Sequence, residues 1–447
     1  MFFQPVRYIL IIILFSMMAT KPFYLYAQTL SDAADLSKEL VIDECVEIAL
    51  KNHPTLKAAE ASVEASRSQV WEGRSAYFPQ VNITTGYSEN YSTSTTLKKD
   101  TETKAYATTL SVNQKIYDFE RTGSAVDSAK ANRNATEKEF DKVKTDIILK
   151  VKESYFGLLQ AQRMVGVNEV IVNQAKAHLK RAKAFFEVGT RPKFDVTQAE
   201  VELNNANLNL QKVRHSFSIA KITLSNSMGL PADREIKIKD VLFTERLYPV
   251  IDDAVKEAID ARPDVKQINA KIDGARAGVR GAIAGFLPII SANGSYTWQD
   301  GDFIIKDSPI VGTDTKTPQE NYWGWGITVT LPLFEGFLTT AKVSTARANM
   351  RNLEYQKENL QQNVRLEVQQ VYLNLEDAKT RISVMESGVQ KAKENFAIAE
   401  GRYNAGVSSL IEVTDAQTAL IRAETDYTQA FYDYHTAAAR LDKALGR

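Results

Sequence analysis

Few side chains in this chain could do chemistry, and their spacing does not assemble them for it. The one cysteine, Cys45, stands in Val41-Ile42-Asp43-Glu44-Cys45-Val46, and the four histidines, His53, His178, His215 and His435, are scattered without the spacing of metal ligands. A lone thiol makes no intrachain disulfide, and its place in an amphipathic segment fits a buried apolar residue better than a lipidated terminus. No paired-carboxylate site, nucleophile arrangement, phosphate loop or metal motif is present, so no catalysis, cofactor or metal is expected. Lys plus Arg equals Asp plus Glu at 55 each, which leaves no basic footprint for nucleic acid. The acids that stand out do so by position. Ser409-Leu410-Ile411-Glu412 has capping-box spacing, and an acid in a first helical turn gains about 0.3–1 kcal/mol from the helix dipole.

The elements that hold these residues are written twice. Ala49-Leu50-Lys51-Asn52-His53-Pro54 matches Ala258-Ile259-Asp260-Ala261-Arg262-Pro263, and Phe78-Pro79 is echoed by Phe286-Leu287-Pro288, at an offset of 209 residues from Pro79 to Pro288. Further on the offset is 217. Ile116-Tyr117-Asp118-Phe119 answers Leu333-Phe334-Glu335-Gly336, Gly189 answers Gly406, Val196-Thr197-Gln198-Ala199 answers Val413-Thr414-Asp415-Ala416, and Gly229 answers Gly446. The reading is a first repeat over 28–230, a connector over 231–250 and a second repeat over 251–447.

Each repeat reads helix, hairpin, long helix, helix. Spaced apolar residues predict one helix over 43–74 and one over 252–284. After the proline the period becomes two: Val81, Ile83, Thr85 and Tyr87, and Ile290, Ala292, Gly294, Tyr296 and Trp298, alternate with small polar residues. The return strands alternate likewise, through Tyr106, Thr108, Leu110 and Val112 and through Trp323, Trp325, Ile327, Val329 and Leu331. Ser92–Lys104 and Gly301–Glu320 read as polar loops. One hairpin of this kind could be soluble, with its apolar face on a core. Small polar residues on one face and aliphatic or aromatic residues on the other are also what a watery lumen and a lipid exterior demand, and a chain so helical offers no second sheet as cover. Four strands cannot close a spanning barrel, so on that reading the chain must oligomerise.

The long helices carry a heptad seam: Val371, Leu375, Ala378, Ile382, Met385, Val389, Ala392, Phe396, Ala399 and Tyr403. At the offset of 217 the first repeat has Ser154, Leu158, Ala161, Val165, Asn168, Val172, Ala175, Leu179, Ala182 and Phe186. A helix over 120–187 is about 100 Å long at ~1.5 Å per residue. The seam stops at Gly189 and Gly406, where glycine ends a helix and a second helix follows, over 193–229 and 408–446. At the N-terminus, Arg7, the apolar run Tyr8 to Phe15 and a small residue at Ala27 read as a signal segment over 1–27. An uncleaved anchor is the alternative, for which the run is short.

With these residues in order and repeated, the chain resembles the TolC family of outer-membrane factors over essentially all of 41–446. Carrying the likeness are the tandem repeat, Ala49 to Pro54, the Phe-Pro strand starts, Leu331-Pro332-Leu333-Phe334-Glu335-Gly336, and the tips Val188-Gly189-Thr190 and Ala405-Gly406-Val407. The resemblance implies a mainly α fold with a small β part. Four strands per chain would join a 12-stranded trimeric β-barrel, with a long coiled-coil α-barrel below it and an equatorial region near the connector. It implies a homotrimer in outer-membrane lipid of a Gram-negative type envelope, whose helices cross the periplasm. It also implies a periplasmic adaptor (membrane fusion) protein docked at the two tips and an inner-membrane pump behind it. The implied function is a passive conduit for efflux or secretion, with drug efflux slightly ahead of type I protein secretion. By the same resemblance Glu412 and Asp415 line the periplasmic entrance, and Asp195 and Tyr403 form a contact that locks it. The family has an arginine two residues after the second tip glycine; here it is Ser408.

Overall fold

The computed structural model describes residues 38–94, 99–232, 234, 236–241, 248–305 and 315–447. The expected signal segment, the centres of the two hairpin loops and part of the connector lie outside them. One run of elements occurs twice. The first is β1 (Glu39–Leu40), α1 (Ile42–Asn52), α2 (Pro54–Arg74), β2 (Gln80–Ser94), β3 (Lys99–Tyr117), α3 (Arg121–Glu187) and α4 (Lys193–Ser227). The second is β4 (Lys237–Ile238), α5 (Ile251–Ala261), α6 (Pro263–Ile283), β5 (Ile289–Ile305), β6 (Thr315–Thr330), α7 (Leu338–Asn404) and α8 (Leu410–Ala444). Among the described residues no helix is long and apolar enough to cross a membrane.

Two expectations about these elements are corrected. The helices expected over 43–74 and 252–284 are each two, broken at His53–Pro54 and Arg262–Pro263. Proline lacks the N–H that would continue the first helix and so opens the second, where that N–H has no intrahelical partner. The segments expected as polar loops are largely strand, since β2 runs to Ser94, β3 starts at Lys99, β5 runs to Ile305 and β6 starts at Thr315. Antiparallel pairing satisfies backbone groups whatever the side chains are, so polar composition did not end the ladder.

The strands form one antiparallel sheet in the order β2-β3-β5-β6, which leaves β2 and β6 as edges. Below it, α3 and α7 are each 67 residues long. The heptad seam of α7 faces inward: Leu375, Ala378, Ile382, Phe396, Ala399 and Tyr403 are buried. The α3 seam does the same at Leu158, Asn168, Val172, Ala175 and Ala182, but fails at its last member. Phe186 is 44% exposed, and its neighbour Phe185 turns in to meet the Tyr403 ring at 6.1 Å. The two seams end in one shared core, where Tyr403 is buried while its counterpart at the offset of 217, Phe186, is not.

The upper part holds two cores. One gathers Cys45, Ile48, Val151, Tyr155, Leu158, Leu224 and Met228, and also takes in Tyr432 and Ala439 of α8 from the second repeat; the other gathers Ala254, Val364, Val368, Tyr434, Leu441 and Leu445. Burial pushes the Cys45 thiol up to about 12, with Glu44 adding to the effect, so it stays protonated as an apolar residue would. The Tyr155 hydroxyl reaches the carbonyls of Leu40 at 3.1 Å and Lys239 at 2.6 Å, tying the parallel pair β1 and β4 to α3.

Side by side, the helices near the sheet run α2, α3, α6, α7, and farther down they run α4, α3, α8, α7. The free flank on one side is therefore β2, α2 and α4, all from the first repeat. On the other side it is β6 and α7, from the second. Both flanks expose apolar residues: Val201, Leu208, Ile219 and Ile222 on α4, and Leu366, Leu373, Val384 and Ile398 on α7.

Candidate functional site

The sheet sorts its side chains as the alternation requires. Cross-strand register pairs Val81 with Val112, Ile83 with Leu110 and Tyr87 with Tyr106 on one face. The same face continues through Leu110 opposite Tyr296, Tyr296 opposite Trp323, Gly294 opposite Trp325 and Ala292 opposite Ile327. Along β2 and β3 this face changes from aliphatic to aromatic to charged. Tyr87 and Tyr106 rings meet at 4.7 Å, and one step beyond, Lys104 lies 3.2 Å from Glu89 and 2.8 Å from Glu102. An apolar band, an aromatic girdle and a charged rim are what a barrel shows to lipid. The opposite face carries Asn82, Thr84, Ser111, Asn293 and Ser295, with the Thr109 and Thr297 hydroxyls 3.0 Å apart and Thr328 donating to Asn293. That face suits water.

The other candidate residues lie at the far ends of the helices. Gly189 and Gly406 take positive φ, +75° and +77°, which glycine adopts without steric cost. Each closes its helix in the same way: Gly189 N–H donates to Phe186 and Thr190 N–H to Phe185, while Gly406 N–H donates to Tyr403 and Val407 N–H to Arg402. The expected docking residues Val188, Thr190, Ala405 and Val407 surround these glycines, and Val188 and Val407 project into solvent.

Tyr403 is 1% exposed, and Asp195 is buried nearby. Burial chiefly, then the Asp195 charge, raises the Tyr403 phenol above its ordinary value. The phenol oxygen has no hydrogen-bond partner among the described residues, so the two are close enough to interact electrostatically but are not bonded within this chain. Glu412 lies in the first turn of α8, yet the capping box does not form: Ser409 makes no side-chain cap bond. The Glu412 carboxylate instead pairs with Arg402 at 3.1 Å, both half-exposed. Asp415 is exposed one turn on and makes no ion pair among the described residues.

Three tip residues were not singled out by the sequence reading. Arg191 donates to the Ser408 carbonyl at 2.8 Å and lies over the Tyr403 ring, 5.1 Å from its centre. Arg181 donates to Glu400 at 2.7 Å and to Asn404 at 3.0 Å. His178 is buried against Phe396, with Nδ1 unpartnered among the described residues. The offset of 217 does place Arg191 opposite Ser408, a signal that local spacing could not turn into a contact. Together with a contact between Thr414 and Glu202, these bonds join the α3–α4 hairpin to the α7–α8 hairpin. Around them Ala182, Ala199, Phe396, Ala399, Tyr403, Leu410 and Val413 make one core from all four helices.

Comparison with known proteins gives this geometry its context. The sequence profile described as outer membrane efflux protein matches residues 45–230 and 254–447. The outer membrane protein TolC of Vibrio cholerae is 25% identical over 412 residues, 89% of each chain. The alkaline protease secretion protein AprF of Pseudomonas aeruginosa is 25% identical over 407 residues, 88% of this chain and 82% of that one. Among solved structures, the outer-membrane channel OprN superposes with a TM-score of 0.79 at 16% identity, over 91% of this chain and 89% of its own.

Proposed function

From the premise that the chain belongs to the outer membrane efflux protein family, we propose that it is one subunit of a cyclic homotrimer, a passive conduit through the periplasm and the outer membrane. The family is one of channels, and this reading assigns no catalytic step. The observation that carries the ring is the division of free edges. β2, α2 and α4 are open on one flank and β6 and α7 on the other, so each copy meets the next head to tail, and a head-to-tail contact closes into a ring when its rotation permits. Pairing β6 with the β2 of a neighbour removes the sheet edges that lipid forbids. The apolar rows on α4 and α7 are covered by the same contact. Three copies give the 12 strands that the family resemblance implies.

In this reading 28–230 and 251–447 are the two repeats and 231–250 is the equatorial connector. The tips Val188-Gly189-Thr190 and Ala405-Gly406-Val407 receive a periplasmic adaptor fed by an inner-membrane pump. Glu412 and Asp415, brought round the axis, form an acidic ring that attracts cations, and Asp195 and Tyr403 contribute to closing the entrance. One relative is named for alkaline protease secretion and the family profile for efflux, so both cargo classes fit, and selection falls to the pump. The test is extraction. The protein should remain in outer membranes washed with carbonate or high salt, cross-link as a trimer, and give discrete conductance steps in planar bilayers. Release by carbonate would leave a periplasmic scaffold as the better account.

A further inference from the structure

We propose that Arg191 is the clamp that holds the two helical hairpins of each protomer together at the entrance, and that the clamp needs one cation at either of two facing positions, 191 or 408. The inference rests on the conduit reading for its consequence, but not for its geometry. Arg191 and Ser408 each stand two residues after a tip glycine, Gly189 and Gly406. They are equivalent positions of the two repeats, and the fold sets them against each other. From the first tip the guanidinium crosses to the second, where it bonds the Ser408 carbonyl and covers the Tyr403 ring. A cation over an aromatic face is attracted by the ring quadrupole, more strongly where water is excluded. Tyr403, 1% exposed, is such a site.

The repeats differ here in a complementary way. Ser408 is small and buried, and its hydroxyl has no partner among the described residues, so the second tip offers a carbonyl and a ring but no charge of its own. An arginine at both positions would set two guanidiniums against each other where the tips meet. An arginine at neither would leave the Ser408 carbonyl and the ring face uncovered. Arg181, with its bonds to Glu400 and Asn404, lies farther up α3 and forms a separate tie. Losing Arg191 therefore loosens the tip without dissolving the four-helix core.

The experiment compares the parent with R191S, S408R, R191S/S408R and R191K. Two readouts are used on each: single-channel conductance in planar bilayers, and the distance between spin labels at V188C and V407C in detergent-solubilised protein. Cys45 is fully buried and stays out of the labelling reaction. R191S and S408R should each broaden and lengthen the label distance and raise conductance several-fold, R191K should fall between them and the parent, and the double exchange should return both readouts toward the parent. Circular dichroism should stay unchanged in all. Parental distances and conductance in R191S overturn the clamp, and a double exchange as open as R191S overturns the equivalence of the two positions. A parent that never conducts, with label distances that still follow the charge at 191, removes the conduit reading and leaves the clamp.

Discussion

Gly229 rests its bare Cα against the backbone of His53, so closely that a β carbon on it would lie 2.7 Å from His53 Cα. The second repeat does the same with Gly446 and Arg262, where a β carbon would lie 2.9 Å from the Arg262 nitrogen. In both places a glycine with positive φ, +71° and +79°, ends the last helix of its repeat and seats it on the break before Pro54 or Pro263. Gly229→Ala should cost about 2 kcal/mol or more, combining the left-handed penalty of about 1–2 kcal/mol with the clash. Thermal unfolding of the detergent-solubilised protein would read it, and a melting temperature equal to the parent's would mean that the contact is loose.

The two faces of the sheet should respond oppositely to one charge. Ile327→Arg puts a guanidinium on the lipid side, at about 2–4 kcal/mol near the bilayer midplane, and should cut the yield of folded protein in the membrane. Thr328→Arg, its neighbour on the polar face, should fold normally and change ion selectivity. Equal yields from the two variants would contradict the assignment of faces.

Glu412 is paired with Arg402 and Asp415 is exposed without an ion pair among the described residues, so the acidic ring should draw mainly on Asp415. Glu412→Ala/Asp415→Ala trimers should show higher conductance, or weaker block by divalent cations, than the parent. Asp415→Ala alone should produce most of that change. If both assays are unmoved, the acids serve their own helix turns and no ring.

His178 should make the tip sensitive to acid. Burial, with the nearby Arg181 adding and Glu400 opposing, lowers its pKa below the ordinary 6.5. The unfolded state therefore binds a proton more readily than the folded one. Stability is complete above about pH 6.5 and falls as pH drops from there through the folded value. The parent should lose melting temperature between pH 7 and pH 5 by more than His178→Gln does. Parallel losses would place the titration elsewhere.

Much of the architecture is local and could be read from spacing. Alternation at Val81, Ile83 and Tyr87 and the seven-residue seam of α7 each reflect the period of one element, 2.0 or about 3.5, so the faces they predict are the faces found. The repeat of Gly189 at Gly406 carries its positive φ with it, because a helix-ending turn is made by a few adjacent residues. Where pattern misled, another rule won: Pro54 split a periodic segment, backbone pairing carried strand into polar sequence, and Phe185 rather than Phe186 packs on Tyr403 in the shared core.

The contacts between the two hairpin tips, Arg191 with Ser408 and Tyr403, Arg181 with Glu400 and Thr414 with Glu202, join residues more than 200 positions apart. Nothing in the spacing of Arg191 shows that it will lie on Tyr403, nor does Ser409-Leu410-Ile411-Glu412 show that its acid will turn to Arg402. Repetition alone made 191 and 408 equivalent. Only the packing of one hairpin against the other made them partners, since side chains choose among bonds of similar strength by which group the fold brings within reach.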